Sequence, residues 1–595
     1  MTVESRDAVV IGGGPAGSAC AALVRKHAPG VTVTVLEQAR FPRYHIGEST
    51  IPAANGVLRD LEVFDALERS TFVKKMGVVF IWGKDREPWN ADFLNLRGAA
   101  SPGGGGGIVD VTGQDFRTLL GELQHRDTPF TGFNVRRAEF DHLLLNQARA
   151  FGVDVREGTR ATEVVRNAAG AIDAVRWSDD RGRSGVINTP FVFDASGLAA
   201  LMTSDRHRDP HMNNFAVYGY LSDAEWKVTF NGTRDRSTVF IATVDHGWIW
   251  YFPIDADIMS VGVVTRREWL TDQLRTRGLE RFWWDTIHSC PEVADLLRKA
   301  TLRTDVLPGG GRVAASQDWS AWAKQPTGDG WAAAGDSAVF VDPILSSGVT
   351  LALQSAHRAA YTFNTARAHP ELPAESLWGA YGDYIRGEAS SFLTLARYFY
   401  GNNRAAQSWW WEGQQLVNRT GHLELDDRQA FTMATAGFFP VPRAISPEVV
   451  GSLLEHLSGT SADLGSVLQQ TGVPSGRALS DCAMTVVVPF ELGLRTEPPG
   501  PTHTPGQLDV FYDLVPTTDE MDHRRAAVPC RIPWEMAPVV GAIARHRHVK
   551  TLLQEAPGLV PDVADPAEIR RATRDIVRVA AMKGFLRLSP QVASS

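Results

Sequence analysis

Residues 7–17, Asp-Ala-Val-Val-Ile-Gly-Gly-Gly-Pro-Ala-Gly, constrain the fold more than any other stretch of the chain. Asp7 to Ile11 reads as a short buried strand and Ser18 to Lys26 as an alanine-rich helix, so the glycines sit in a strand–turn–helix setting. Gly12 permits the tight turn, Gly14 lets a pyrophosphate approach the backbone, and Gly17 lets helix and strand pack closely, with Pro15 and Ala16 between them. The helix start then offers free N–H groups and a positive dipole end to phosphates. A second strand, Val31 to Leu36, ends at Glu37, about twenty residues past the glycines, where an acid meets a ribose hydroxyl. A glycine triplet alone marks only a tight turn; with both strands, the helix and the acid it predicts a Rossmann-like dinucleotide site.

Three later segments decide which dinucleotide. Val192-Phe193-Asp194-Ala195-Ser196-Gly197 and Ala333-Ala334-Gly335-Asp336-Ser337-Ala338 are strands running into small-residue turns. Asp194 is placed to close over an adenosine half and Asp336 to hold a ribityl or pyrophosphate hydroxyl. Asp342-Pro343-Ile344-Leu345-Ser346-Ser347-Gly348 then opens a helix from Val349, whose N-terminus can face a flavin ring. Together and in this order the segments resemble the FAD-dependent aromatic hydroxylase and halogenase superfamily. That resemblance implies an α/β fold: a Rossmann-like FAD-binding domain with an inserted antiparallel sheet forming the substrate region. No second G-x-G-x-x-G stands in a strand–helix context, so a separate flavin reductase is expected to supply reduced FAD.

Shorter motifs separate halogenation from hydroxylation. Phe41-Pro42-Arg43 with Gly47-Glu48-Ser49 resembles a run of the flavin-dependent halogenases, implying Arg43, Glu48 and Ser49 as cofactor contacts. Arg137-Ala138-Glu139-Phe140-Asp141 and Gln317-Asp318-Trp319-Ser320 also fit that family, with Arg137 at the cofactor. Phe72 to Gly83 is similar to the segment carrying the family's essential lysine, which makes Lys75 the catalytic candidate and Lys74 its weaker neighbour. Trp248-Ile249-Trp250-Tyr251-Phe252-Pro253 looks like the Trp-x-Trp-x-Ile-Pro signature, with Phe252 for isoleucine. The two tryptophans share one face of a strand and would wall a tunnel from the flavin. A halide, chloride or bromide, would bind backbone N–H groups at Ser347 and Gly348, a helix start that favours anions. Tryptophan-directed members carry a glutamate before the serine of that loop; here the position is Leu345. This departure points to the phenol-, pyrrole- or acyl-directed branch typified by chloramphenicol biosynthesis, whose substrates are small and sometimes carrier-bound.

The chemistry explains the lysine. A hypohalous acid is small and indiscriminate, and an amine can capture its halogen or hold it by hydrogen bonding. Desolvation depresses a lysine pKa and frees the lone pair for that task. Two rival enzymes use the same scaffold, a phenolic monooxygenase and a geranylgeranyl-reductase-like flavoenzyme whose Tyr-x-Trp-x-Phe-Pro signature Trp250 to Pro253 also resembles. Neither needs an amine at position 75.

The chain has 595 residues, more than one core accommodates. The expected division is a catalytic module over 1–390, with an irregular excursion at 84–131 centred on Pro102 and Gly103 to Gly107, and a mostly helical C-terminal domain over 391–595. In the latter, the run Tyr398 to Tyr400 and Trp409 to Trp411 reads as packing, and Glu497 to Pro505 as a proline-rich strap. Helices at Trp534 to Leu553 and Glu568 to Lys583 and a strand at Gly584 to Leu588 suggest a winged-helix-like module. Its basic residues Arg545, Arg547, Lys550, Arg570, Arg571 and Arg574 could meet DNA, but a net charge of −8 argues against nucleic acid or anionic membrane as partner. The four cysteines have no Cys-x-x-Cys spacing, so neither a disulfide framework nor a metal site is expected. With no signal peptide or apolar span legible, a cytoplasmic location is the expectation.

Overall fold

The apolar run before the glycines forms a fully buried strand, Ala8–Ile11, in the middle of a six-stranded sheet. Val33–Glu37 and then Asp154–Glu157 lie parallel on one side of it. Val192–Asp194 and Trp331–Ala333 lie parallel on the other, and Thr327–Gly328 closes that edge antiparallel. The central strand is covered on both faces, which is why Ala8–Ile11 reads as an unbroken apolar run, whereas the edge strand Asp154–Glu157 is half-buried and charged. Strand order reverses between Ala8–Ile11 and Val192–Asp194, so a crevice opens beyond their carboxyl ends. The helix Pro15–His27 starts with proline, whose missing N–H is no loss in a first turn. It packs against the helices Arg137–Ala150 and Gly348–Ala368.

The structure is a computed structural model, and it describes residues 2–82, 86, 88–93, 131–203, 205–230, 237–401, 431–432, 434–437, 477–488, 490–497, 504–517, 532–561 and 565–590. Pro102 to Gly107, Trp409 to Trp411 and most of the Glu497 to Pro505 segment lie outside these residues.

The second large sheet is mainly antiparallel: Val313–Ala323, Arg206–Ser222, Met259–Arg266, Gly247–Pro253 and Thr238–Val244 are successive neighbours. Gly77–Ile81 adds in parallel to Thr238–Val244 and carries Pro88–Asp92 at its outer side. Pro88–Asp92, within the segment expected to be irregular, is thus a strand. Trp89 stacks on Phe80 with ring centres 4.3 Å apart, and that cross-strand pair holds a strand where no alternation announces one. Period-two geometry splits Gly247–Pro253 between two cores. Trp248, Trp250 and Phe252 join the core shared with the flavin-type sheet, while Ile249 and Tyr251 join a second core with the helix Leu279–His288.

The chain divides into two compact units, Met1–Phe439 with Gly500–Gln507, and Pro440–Pro499 with Leu508–Ser595. The helix Ala374–Gly401 lies in the first unit and runs unbroken across residue 390. In the second unit, helices Ala537–Ile543, Val549–Leu559 and Pro566–Met582 pack around Leu552, Ile576 and Phe585. Two antiparallel strand pairs accompany them, Cys482–Val486 with Leu586–Pro590 and Phe490–Glu497 with Asp509–Pro516. The single helix expected at Trp534 to Leu553 is thus two, because His548 is extended and bridges to Ala483. Asp565 caps the last helix by accepting the Ala567 N–H at 2.8 Å.

Candidate active site

A cavity of about 580 Å³ occupies the crevice at the strand-order reversal. The glycine loop forms one end, and the three glycines do different things there. A Cβ on Gly12 would meet the Ala195 carbonyl oxygen at 2.2 Å, and one on Gly17 would meet the Gly12 oxygen at 1.8 Å. At Gly14 the space is left open to the cavity, and the nearest atom is an Arg43 guanidinium nitrogen at 3.4 Å. A backbone that can be approached, overhung by a cation whose Nη1 has no hydrogen-bond partner among the described residues, is what a pyrophosphate requires. Glu37 ends its strand in the same wall; its carboxylate accepts the Gly13 and Ala39 N–H groups at 2.6 Å each. A carboxylate has about four acceptor positions, so ribose hydroxyls can still be bound. The donor set fits FAD.

The segment Arg43 to Ser49 also lines the cavity, held by a buried ion pair. Arg137 and Asp141 stand one turn apart on Arg137–Ala150, joined by hydrogen bonds of 2.7 and 2.9 Å. The other arm of the guanidinium donates to the Ile46 and Gly47 carbonyls at 2.9 and 3.0 Å. Ser49 donates to the Asn134 Oδ1 at 2.8 Å. Glu48 is buried and accepts from the Tyr220 and Ser260 hydroxyls at 2.7 and 2.8 Å, and burial pushes its carboxyl up to about 7. Pro15, Ala16, Asp336, Pro343, Gly348 and Val349 complete the cavity lining named from the sequence. Burial raises Asp336 to about 6, against the pull of Arg137 and Arg206.

Asp194 is not in the wall. It accepts from the Ser196 and Met202 N–H groups at 3.0 and 2.7 Å, and so shapes the turn beside the cavity. Ser347 precedes the helix Gly348–Ala368 without capping it; its buried hydroxyl has no partner among the described residues, and its neighbours Ser346 and Gly348 line the cavity.

Trp248, Trp250 and Phe252 also line the cavity. Trp250 lies over Gly262, where a Cβ would come within 2.2 Å of the indole. Its Nε1 donates to Ser260 at 3.1 Å; the Trp248 Nε1 donates to Tyr400 at 2.6 Å. Sequence reasoning missed Ser260, Gly262, Tyr220, Tyr400 and the carboxylate of Asp342. These come from strands, a turn and a helix that are distant in sequence from the tryptophans or from Glu48.

Lys75 ends the strand Val73–Lys75, paired with Gly132–Asn134 and adjoining Gly77–Ile81. Its side chain is 0% exposed, and the Nζ atom has no hydrogen-bond partner among the described residues. The amine lies 5.7 Å from the centre of the Phe93 ring. Burial lowers its pKa to about 7. Lys74 points the other way, into a half-exposed ion pair with Glu68 at 2.5 Å. Lys75 is not among the residues lining the cavity, so this cavity does not itself trace the tunnel expected between flavin and amine.

The tryptophan halogenase family profile matches residues 7–101 and 122–439. A tryptophan 2-halogenase of Chondromyces crocatus is 31% identical over 422 residues, 70% of this chain and 72% of that protein. A 1H-pyrrole-2-carbonyl-[peptidyl-carrier protein] chlorinase of Pseudomonas fluorescens is 32% identical over 366 residues, 60% of this chain and 76% of its own. Among solved structures, the myxobacterial chondrochloren halogenase CndH aligns with a TM-score of 0.58 at 27% identity, over 73% of this chain and 98% of its own. The flavin-dependent halogenase CmlS aligns over 99% of this chain and 96% of its own with a TM-score of 0.62; at 23% identity that likeness concerns the fold.

Proposed function

The chain belongs to the tryptophan halogenase family and is an FAD-dependent halogenase, and from that premise we propose that Lys75 delivers the halogen to an electron-rich phenol, pyrrole or activated acyl group. Bound and reduced, FAD supplies the activation of dioxygen that oxidises chloride or bromide to hypohalous acid. The observation that carries the assignment is the Lys75 amine, fully buried, unpartnered among the described residues and brought to about 7 by desolvation. A neutral amine takes halogen from HOX, forming N–X and releasing water. The same amine, left with its proton, can hold HOX by a hydrogen bond. Ser347 and Gly348 would hold the halide at the helix start, and Glu37, Arg43, Arg137 and Asp336 the cofactor. The indoles of Trp248 and Trp250 would keep bulky substrate off the flavin.

Leu345, buried at the position before Ser346 where tryptophan-directed members carry a glutamate, supports a substrate other than free tryptophan. The pyrrolyl-carrier relative makes a tethered substrate a natural candidate. Reduced FAD would come from a separate reductase. No helix among the described residues is long and apolar enough to cross a membrane.

The test is Lys75→Ala with FAD, a flavin reductase, NADH and bromide, over phenols, pyrroles and acyl thioesters. Brominated mass should disappear while FAD binding and the oxidation of reduced flavin persist. Full bromination by the variant would remove Lys75 from the mechanism.

A further inference from the structure

Both cavity-wall tryptophans are tied, through one hydroxyl each, to a buried carboxyl that also faces the cavity. The Trp250 Nε1–H donates to the Ser260 hydroxyl at 3.1 Å, which donates to Glu48 Oε2 at 2.8 Å. Tyr220 holds the other oxygen of Glu48 at 2.7 Å and is itself contacted by the Tyr44 hydroxyl at 2.8 Å. The Trp248 Nε1–H donates to the Tyr400 hydroxyl at 2.6 Å, which donates to Asp342 Oδ1 at 3.2 Å. Asp342 is fixed independently by the Ile344 N–H at 3.0 Å and by Asn214 at 3.4 Å. The two indole rings lie 6.1 Å apart, centre to centre. Tyr44, Glu48, Trp248, Trp250 and Asp342 all contribute to the cavity wall.

An indole nitrogen donates one hydrogen bond and accepts none, so a single buried acceptor sets the ring's rotation about its strand. For Trp250 the residue beneath the ring is Gly262, which lets the indole lie close on the neighbouring strand, and the polar end of the ring is fixed by Ser260. Each hydroxyl in turn donates to the carboxyl oxygen beyond it, which leaves its oxygen free to accept the indole N–H. The two chains arise from unrelated parts of the sequence: Glu48 from the cofactor-loop segment, Ser260 from the neighbouring strand, Tyr400 from the end of the helix Ala374–Gly401, and Asp342 from the turn before Gly348–Ala368. Both nonetheless end on the same pair of rings.

We propose that Ser260 and Tyr400 are positioning residues that lock the Trp250 and Trp248 rings, through Glu48 and Asp342, in the orientation that keeps water out of the reaction zone. This rests on the halogenase reading. Without the locks the rings still fill the wall, but they swing, water enters, and reduced flavin is consumed to release hydrogen peroxide in place of hypohalous acid.

The experiment measures brominated phenol red and hydrogen peroxide per reduced FAD consumed, with bromide as halide, alongside FAD affinity. Tyr400→Phe deletes only a hydroxyl and Ser260→Ala only a hydroxyl's worth of volume. Each should lower the bromination yield about ten-fold, with peroxide rising to match and with FAD affinity and the KM for bromide unchanged. Ser260→Thr, which restores a hydroxyl, should recover most of the yield. In a Trp248→Phe background, Tyr400→Phe should have no further effect, because the bond it breaks is already gone. Unchanged partition in Tyr400→Phe, or an equal loss with Trp248 already replaced, would overturn the positioning role. A wild-type enzyme that makes peroxide alone would overturn the halogenase reading instead. The phenylalanine variant keeps ring volume, so the question is answered even where the alanine variant does not fold.

Discussion

Arg137 grips Asp141 through two parallel hydrogen bonds, 2.7 and 2.9 Å long, inside the protein and one helical turn apart. The pair is the anchor of the cofactor-loop segment, since the same guanidinium holds the Ile46 and Gly47 carbonyls. A buried charge left without its partner is costlier than no charge at all. Asp141→Asn should therefore destabilise the first unit by about 3–5 kcal/mol and weaken FAD binding, while Arg137→Met with Asp141→Leu should recover part of the stability and none of the FAD affinity. Urea unfolding and FAD titration of the single and double variants separate the two effects.

The three loop glycines predict a contrast. Gly17→Ala would drive a methyl group to 1.8 Å from the Gly12 oxygen, and neither backbone can retreat, so soluble folded protein should be lost. Gly14→Ala meets only the tip of a flexible arginine at 3.4 Å. It should fold with nearly wild-type thermal stability yet bind FAD at least ten-fold more weakly, because its methyl group takes the room that a phosphate needs. Circular dichroism and flavin fluorescence on the purified variants decide between these outcomes.

The nucleotide half was legible because its signals are local. Gly12 to Gly17 and Glu37 lie on one strand–turn–helix–strand unit, and their roles follow from spacing. Trp248 and Trp250 were placed on one strand face by period-two alternation, and Gly247–Pro253 has them so. What gives those rings an orientation was not legible. Ser260 looks like any strand serine and Tyr400 like one more aromatic on a helix; their partners lie 10 and 152 residues away in sequence. The helix break at Arg545 to His548 escaped for the same reason, since the bridge that pulls His548 straight comes from Ala483. The halogenase reading itself required family motifs, because burial of Lys75 rests on tertiary packing around a residue type that is usually exposed.

Glu48 should leave a mark on stability that runs against the usual carboxylate trend. Its folded pKa is raised from 4.5 to about 7, chiefly by desolvation. Between those values the folded protein keeps a proton that the unfolded chain releases, so this residue's contribution falls as pH rises. Glu48→Gln does not titrate there. The variant's melting temperature relative to wild type should climb from pH 5 to pH 7.5, by the equivalent of roughly 3 kcal/mol. A flat difference across that range would mean that the carboxyl is already ionised at pH 5.

Lys75 makes the complementary prediction in a higher window. Its amine is depressed from 10.5 to about 7 by burial, with no acid beside it among the described residues to compensate. The unfolded chain therefore holds the proton between about pH 7 and 10.5 while the folded protein has given it up, and stability rises with pH across that interval. Lys75→Met keeps the length and apolar stem without the titration. At pH 7 it should be more stable than wild type by several kcal/mol, on the order of the shift converted at about 1.4 kcal/mol per unit, and the gap should close toward pH 10. The same variant should give no brominated product at any pH. Thermal unfolding from pH 6.5 to 10 reads the first effect; a constant gap would show that the amine carries its proton in the folded state throughout, and the nucleophilic role would fall with it.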